Sequence, residues 1–263
     1  MIDLHCHLLP GIDDGPKTID ESLKLARIFV SAGYSHVVTT PHWIFGTSWM
    51  PAPEIIREKV LKLNQRMKAD GIGLIAFPGM EIALDHEIPE LLDRGGIIGL
   101  GGRPKSYLLI EPPFLRLPLG WEEIFFGVLS RGYKVLVAHP ERCAQLAEKK
   151  GTIDEFISAG LYLQVNWLSF LGFYGPEAAE MARYLAVKGY IHCLATDSHD
   201  TKNRQPGNAR KAAGLVEKLI GKQNLSLLAS KNPIRVLKGE PLAGMSPVSV
   251  KGRLKRMGSW LHL

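Results

Sequence analysis

Short apolar segments alternate with helical ones along this chain, and six of the seven end in a histidine or a carboxylate. "MIDLHCH", "SHVVTTPH", "GLIAFPGMEI", "SYLLIEPP", "KVLVAHPER", "LYLQVN" and "IHCLATDSH" read as strands. They are near-continuous apolar runs, the pattern of strands covered by helices. Between them, "IDESLKLARIFVSAG" carries Asp20 and Glu21 in its first turn and Gly33 just past its end. "PEIIREKVLKLNQRMKADG" starts near Pro53 and stops at Gly71, and further helices are expected from about Gly207 to Glu240. The alternation predicts an α/β fold, either a (β/α) barrel or an open doubly wound sheet. No Gly-rich phosphate loop follows the first strand, which weakens the dinucleotide-binding form of the open sheet.

The polar strand ends favour the barrel. His5 and His7 end the first strand, His42 the second, Glu81 the third and Glu111 the fourth. His139 ends the fifth, Asp197 and His199 the last, and Asp14 lies in the loop after the first. In a parallel barrel the C-terminal strand ends share one rim, so residues scattered in sequence converge there. His5 and His7, two apart on a strand, face one way and Cys6 the other. Carboxylates are rare at the ends of buried strands unless they are paired or bind metal.

Five imidazoles and four carboxylates without a thiolate argue against a structural cysteine-zinc site. Mixed N/O ligation suits manganese, iron(II) or zinc. Nine donors exceed the need of one ion, so two to three divalent ions are expected, with a carboxylate such as Glu81 bridging. Their net positive charge would attract a phosphate ester, and ions about 3.5–4 Å apart would clamp both oxygens of an in-line displacement through a metal-bound hydroxide. Arg142, three residues after His139, can lie on the same rim and bind two phosphate oxygens; its alternative is a surface ion pair with Glu141 or a neighbour. Arg204, in "DSHDTKNRQP", is a weaker candidate for a similar part.

A cysteine-based phosphatase needs an arginine six positions after its nucleophile. Ile12, Lys149 and His199 stand six after Cys6, Cys143 and Cys193, so no such loop exists. Three widely spaced cysteines also suggest no disulfide framework. With no apolar leader and no apolar run of about 18 residues, the chain is expected to be cytoplasmic, without a transmembrane segment. The net charge of +6 is compatible with anionic substrates, nucleic acid or an acidic membrane and selects none of them. Lys251, Arg253, Lys255 and Arg256 place much of it near the C-terminus.

At "DLHCHLLPGIDDGP", "TTPH", "PGMEI", "LIE", "AHPER" and "TDSH", in that order, the chain resembles the polymerase and histidinol phosphatase (PHP) superfamily. Within it, the chain is similar to the bacterial metal-dependent protein-tyrosine phosphatases encoded with capsule and exopolysaccharide genes. The resemblance implies a distorted (β/α)7 TIM-like barrel over residues 1–240, followed by a basic tail, 241–263. It implies a three-metal centre, usually manganese: His5, His7, Glu81 and Asp197 on one ion, Glu81, Glu111 and His139 on the second, and Asp14, His42 and His199 on the third. Arg142 matches the family's catalytic arginine. The implied substrate is the phosphotyrosine-bearing tail of a tyrosine autokinase that controls polysaccharide synthesis; no nucleic-acid partner is expected.

Other readings stay open: a small-molecule phosphatase acting on a compound such as histidinol phosphate, a 3′–5′ exonuclease, or a non-catalytic regulatory barrel. An amidohydrolase is weakened because Glu81 and Glu111 stand where a bridging modified lysine is usual. The loop "WIFGTSWMPAP" after His42 is more apolar than the family pattern. Trp43, Phe45 and Trp49 are expected to pack it onto the barrel, with an aromatic-substrate pocket as the alternative. For the tail with Trp260 and Leu261, a loosely docked end is expected ahead of contact with an acidic membrane or a kinase.

Overall fold

The computed structural model describes residues 1–247. Nine short strands run through it: β1 (Ile2–Cys6), β2 (His36–Thr39), β3 (His42–Trp43), β4 (Ile75–Pro78), β5 (Glu81–Ala83), β6 (Tyr107–Glu111), β7 (Lys134–Ala138), β8 (Tyr162–Asn166) and β9 (Cys193–Ala195). They form two sheets, ordered β1-β2-β4 and β3-β5-β6-β7-β8-β9, in which every pairing is parallel. Parallel neighbours need crossovers, and helices supply them. The first helix, α1 (Ile19–Ser31), is capped by Thr18, whose side chain accepts from the Glu21 N–H, and it buries Leu25, Ala26 and Phe29. The next, α2 (Pro53–Ala69), buries Ile56, Val60, Leu63 and Met67 at helical spacing.

Two of the seven expected strands are each broken in two. β2 stops before Thr40-Pro41 and β3 starts at His42; β4 stops at Pro78 and β5 starts at Glu81. Proline has no N–H to continue a ladder. The freed backbone turns instead, with the Thr40 N–H donating to the Cys6 carbonyl (2.8 Å) and the Glu81 N–H to the Pro41 carbonyl (3.1 Å). Gly79 is needed at the second break, because a Cβ there would meet Val38 Cγ1 at 2.7 Å. The breaks transfer the second halves to the other sheet, where His42 and Glu81 become register partners.

The remaining seam is bridged beyond β9. Cys6 pairs with Ser198 in an isolated parallel bridge. The His7 N–H donates to Ser198 O (2.8 Å) and the Asp197 N–H to His5 O (2.9 Å). Asp3 ties the same segment from below, accepting from the Thr196 N–H (2.9 Å) and hydroxyl (2.5 Å).

Strand alternation separates two apolar clusters. Leu108, Ile110, Val135 and Val137 join the large cluster under the helices, while Tyr107, Leu109, Leu136 and Ala138 join a smaller inner one. Glu111 therefore ends β6 on the inner face. A register shift between Asp3 and Cys6 disturbs this rule in β1, where Leu4 joins the inner cluster and Cys6 the outer. At the far end, Asn232 and Asn224 hold the segment after Glu240 through paired hydrogen bonds to the backbone of Ala243 and Ser246. Among the described residues no helix is long and apolar enough to cross a membrane. The tail from residue 248 onward, with Lys251, Arg253, Lys255, Arg256, Trp260 and Leu261, lies outside the described residues.

Candidate metal centre

All nine strand-end and loop residues converge. His5 belongs to β1 and His7 follows it; His42 opens β3, Glu81 opens β5 and Glu111 closes β6. His139 follows β7, Asp197 and His199 follow β9, and Asp14 reaches in from the loop after β1. Glu81 is the hub. Its Oε1 lies 3.1 Å from His5 Nε2 and 2.9 Å from His139 Nε2, and its Oε2 3.2 Å from His7 Nε2 and 3.0 Å from His42 Nδ1. Asp197 Oδ1 lies 3.5–3.6 Å from His5, His7 and His199. Asp14 Oδ1 reaches His42 and His199 at 3.4 and 3.2 Å.

Groups of ligand atoms mutually within 4.8 Å are His7-Asp14-His42-His199, His5-His7-Glu81, His5-His139-Asp197 and His42-Glu81-Glu111. This differs from the expected partition, in which His7 served one ion and His139 sat with Glu111. His7 here touches two groups, because its ring stacks on His199 with centroids 3.7 Å apart. His139 still borders Glu111, at 3.6 Å.

Two observations test whether these residues fit divalent cations. Glu81 Oε2, Asp197 Oδ1, His139 Nδ1 and His199 Nε2 are buried without a hydrogen-bond partner. His5 Nε2 and His7 Nε2 also face each other at 3.4 Å, an arrangement that needs a proton or a cation between two lone pairs. The oxygen and nitrogen donors suit manganese, iron or zinc. The residues fit.

The local backbone is strained at two residues of the cluster. His139 (φ 28°, ψ 57°) and Asp197 (φ 52°) occupy the left-handed region. Such a conformation costs about 1–3 kcal/mol in a non-glycine residue and collects at functional sites.

Charge in the cluster is mutually set. Burial raises the Glu81 and Asp197 carboxyls, but His5 and its neighbours outweigh it and hold both well below the carboxylate range. Burial and the nearby Glu81 push Glu111 up to about 8. Burial lowers His139 to about 4. Burial also opposes protonation of His7, yet Asp13 raises it to about 9.

Several supporting residues were not anticipated. Asp13 Oδ2 sits 2.7 Å from His7 Nδ1 and accepts from the His42 N–H (3.2 Å). Gln164 and Asn166 of β8 contact His5 and Asp197. Their signal was available: two polar residues two apart in an apolar strand, as for His5 and His7. Glu141, raised to about 7 by burial, accepts from the Asn166 N–H (2.8 Å) and the Ser169 hydroxyl (2.7 Å).

Arg142 does not form the alternative surface pair with Glu141. Its Nη1 lies 3.1 Å from Asp197 Oδ2, where Arg204 Nη2 also arrives at 2.7 Å. Phe114 and Tyr174 hold the Arg142 guanidinium, with centroids at 4.5 and 4.3 Å, beside a cavity of about 400 Å³. In the loop after His42, Trp43 is buried and Trp49 stacks on the His42 ring (5.2 Å, 7°), whereas Phe45 is exposed. Packing in the core thus accounts for Trp43, while Trp49 lies against the cluster itself. The cysteines are all buried and free, and burial raises their thiols.

Comparison with known proteins gives concordant matches. The family model for capsular polysaccharide synthesis, CpsB/CapC, matches residues 1–238. The tyrosine-protein phosphatase YwqE of Bacillus subtilis is 30% identical over 253 residues, 96% of this chain and 98% of the relative. The tyrosine-protein phosphatase CpsB of Streptococcus pneumoniae is 29% identical over 90% of this chain and 98% of its own. A solved structure from work on YwqE and CpsB, described as unique metal-dependent tyrosine phosphatases, superposes with a TM-score of 0.86 at 29% identity. It covers 95% of this chain and 100% of its own. Histidinol phosphate phosphatase of Lactococcus lactis shares the fold alone, at a TM-score of 0.54 and 15% identity over 82% of this chain and 93% of its own.

Proposed function

The chain belongs to the CpsB/CapC family of capsular polysaccharide synthesis, and from that premise we propose that it is a metal-dependent phosphotyrosine-protein phosphatase. Its substrate is the phosphotyrosine-bearing tail of a bacterial tyrosine autokinase that regulates capsule or exopolysaccharide synthesis. The reading extends to a cytoplasmic enzyme whose two sheets are halves of a distorted seven-stranded barrel, with a phosphatase domain over 1–240 and a basic tail after it. Two to three divalent ions, manganese foremost, would be held by His5, His7, Asp14, His42, Glu81, Glu111, His139, Asp197 and His199.

The observation that carries the proposal is the meeting of Arg142 and Arg204 on one oxygen of Asp197, at the edge of the histidine and carboxylate cluster. When bound, divalent ions neutralise phosphoryl oxygens and acidify water. The protein's own part is positioning. Asp197 holds two guanidiniums beside the cluster, where they can bind phosphoryl oxygens and stabilise charge that grows during displacement. Phe114 and Tyr174 fix the Arg142 plane. Trp49 and Phe114 lie against the ligand rings His42 and His139, offering apolar walls to a phenyl ring.

A phosphopeptide panel tests the proposal. Phosphotyrosine peptides should be hydrolysed in preference to phosphoserine peptides and to small phosphomonoesters. A chelator should abolish turnover and manganese restore it. Equal rates on phosphotyrosine and phosphoserine would overturn the tyrosine assignment.

A further inference from the structure

β8 sends no ligand to the cluster, yet its two inward polar side chains are fully buried between His5 and Asp197. Their hydrogen bonds form one chain. Asn166 Nδ2 donates to Asp197 Oδ2 (2.9 Å), Gln164 Nε2 donates to Asn166 Oδ1 (2.7 Å), and Gln164 Oε1 faces His5 Nδ1 (2.9 Å).

The direction of this chain is forced from one end. Asp197 Oδ2 already receives Arg142 (3.1 Å) and Arg204 (2.7 Å), so it serves as an acceptor and Asn166 must present its amide nitrogen. That leaves Asn166 only its oxygen for Gln164, and leaves Gln164 only its oxygen for His5. His5 must then donate from Nδ1, which puts the Nε2 lone pair toward Glu81 (3.1 Å) and Asp197 Oδ1 (3.5 Å). Turning Asn166 over would set like groups against each other at both of its ends, and turning Gln164 over would set its oxygen against Asn166 Oδ1.

We propose that Gln164 and Asn166 are positioning residues forming a one-way amide relay, which fixes His5 as the tautomer able to bind metal. The relay's polarity is imposed by Asp197 with Arg142 and Arg204. Outer partners of metal-binding histidines commonly act this way, and hydrogen bonds in a chain reinforce one another. The relay also couples two ligands that share one edge of the cluster: moving Asp197 would release His5. Glu141 braces the middle, since it holds the Asn166 backbone N–H.

The inference rests on the metal-binding reading above, and its test is a double-mutant cycle on metal affinity rather than on turnover. Metal-stripped protein is titrated with manganese(II), and free manganese is followed by electron paramagnetic resonance. Gln164→Met and Asn166→Leu should each weaken binding about 10–100-fold. Acting through one relay, the double variant should lose little more than the worse single. Additive losses would mean two independent props and overturn the relay. Gln164→Glu keeps the volume and the acceptor for His5 but removes the donor to Asn166, so it should also bind more weakly than wild type. It keeps the test open should Gln164→Met fail to fold. Binding by Gln164→Glu as tight as wild type would show that an acceptor alone suffices, and the relay would fall. Wild-type protein that takes up neither manganese nor, in a parallel titration, zinc or iron(II) would overturn the metal reading; wild type that binds while the variants bind equally would overturn the relay alone.

Discussion

His42 and Glu81 are register partners in the short pairing of β3 with β5, and their side chains meet at 3.0 Å. The pair exists because two strands break beside prolines and restart in the other sheet. Glu81 reaches three further imidazoles from the same position. Glu81→Gln should therefore lower metal content by more than one ion per chain. Elemental analysis of the variant beside wild type checks this; loss of a single ion would deny Glu81 its central place.

The Arg142 guanidinium meets the cluster at Asp197 Oδ2, an oxygen that Arg204 also neutralises. Arg142→Ala should keep the metal complement while turnover on a phosphotyrosine peptide falls about 10²–10³-fold, the scale for removing one preorganised charge-stabilising donor. A variant that emptied the site would make Arg142 structural.

Phe114 is half exposed and stacks on Arg142. An exposed cation–π contact is worth about 0.5–1 kcal/mol, so Phe114→Ala should shift thermal stability little. Its effect should appear in KM for aryl phosphates, raised several-fold with a smaller change in kcat. Unchanged steady-state kinetics would remove Phe114 from the substrate wall.

The thiols should be silent. All three cysteines are buried, and burial raises the Cys6 thiol well above its ordinary range. Iodoacetamide on the folded protein should leave phosphatase activity intact, measured before and after treatment. Inactivation in step with alkylation would revive a cysteine nucleophile.

His192 lies apart from the cluster and accepts the Leu163 N–H at Nδ1 (3.1 Å), while burial lowers its pKa to about 4. Between 6.5 and 4 the unfolded chain binds the proton and the folded one does not, so stability falls with falling pH across that window. The contribution is at most about 3 kcal/mol. His192→Gln has no proton to gain. The stability gap between wild type and variant, from urea unfolding, should shrink as pH drops from 6.5 to 4; a constant gap would refute the assignment.

The convergence of these side chains was legible because strand ends obey strand geometry. His5 and His7 show their shared face by spacing, and Glu111 and His139 show theirs by ending apolar runs. The breaks at Thr40-Pro41 and Pro78-Gly79 were not read, although both prolines were visible. A proline near a strand end fits a terminus as well as an interruption, and only packing decides. Which of these side chains lie nearest one another was likewise out of reach, since the His7–His199 stack depends on how two distant segments meet. Asp13 was passed over beside Asp14 because sequence cannot say that both of two adjacent carboxylates reach the same cluster. Gln164 and Asn166 were missed because amides announce no charge.

The seam between the sheets has a mechanical meaning. The smaller sheet brings His5, the larger brings His42, Glu81 and Glu111, and Asp197 belongs to the stretch that bridges the gap. Any cation gripped by His5 and Glu81 together is thus a rivet through two plates. Withdrawing it would slacken the joint before it melted either plate, so local opening in such a protein should begin at its reactive heart and not at its rim.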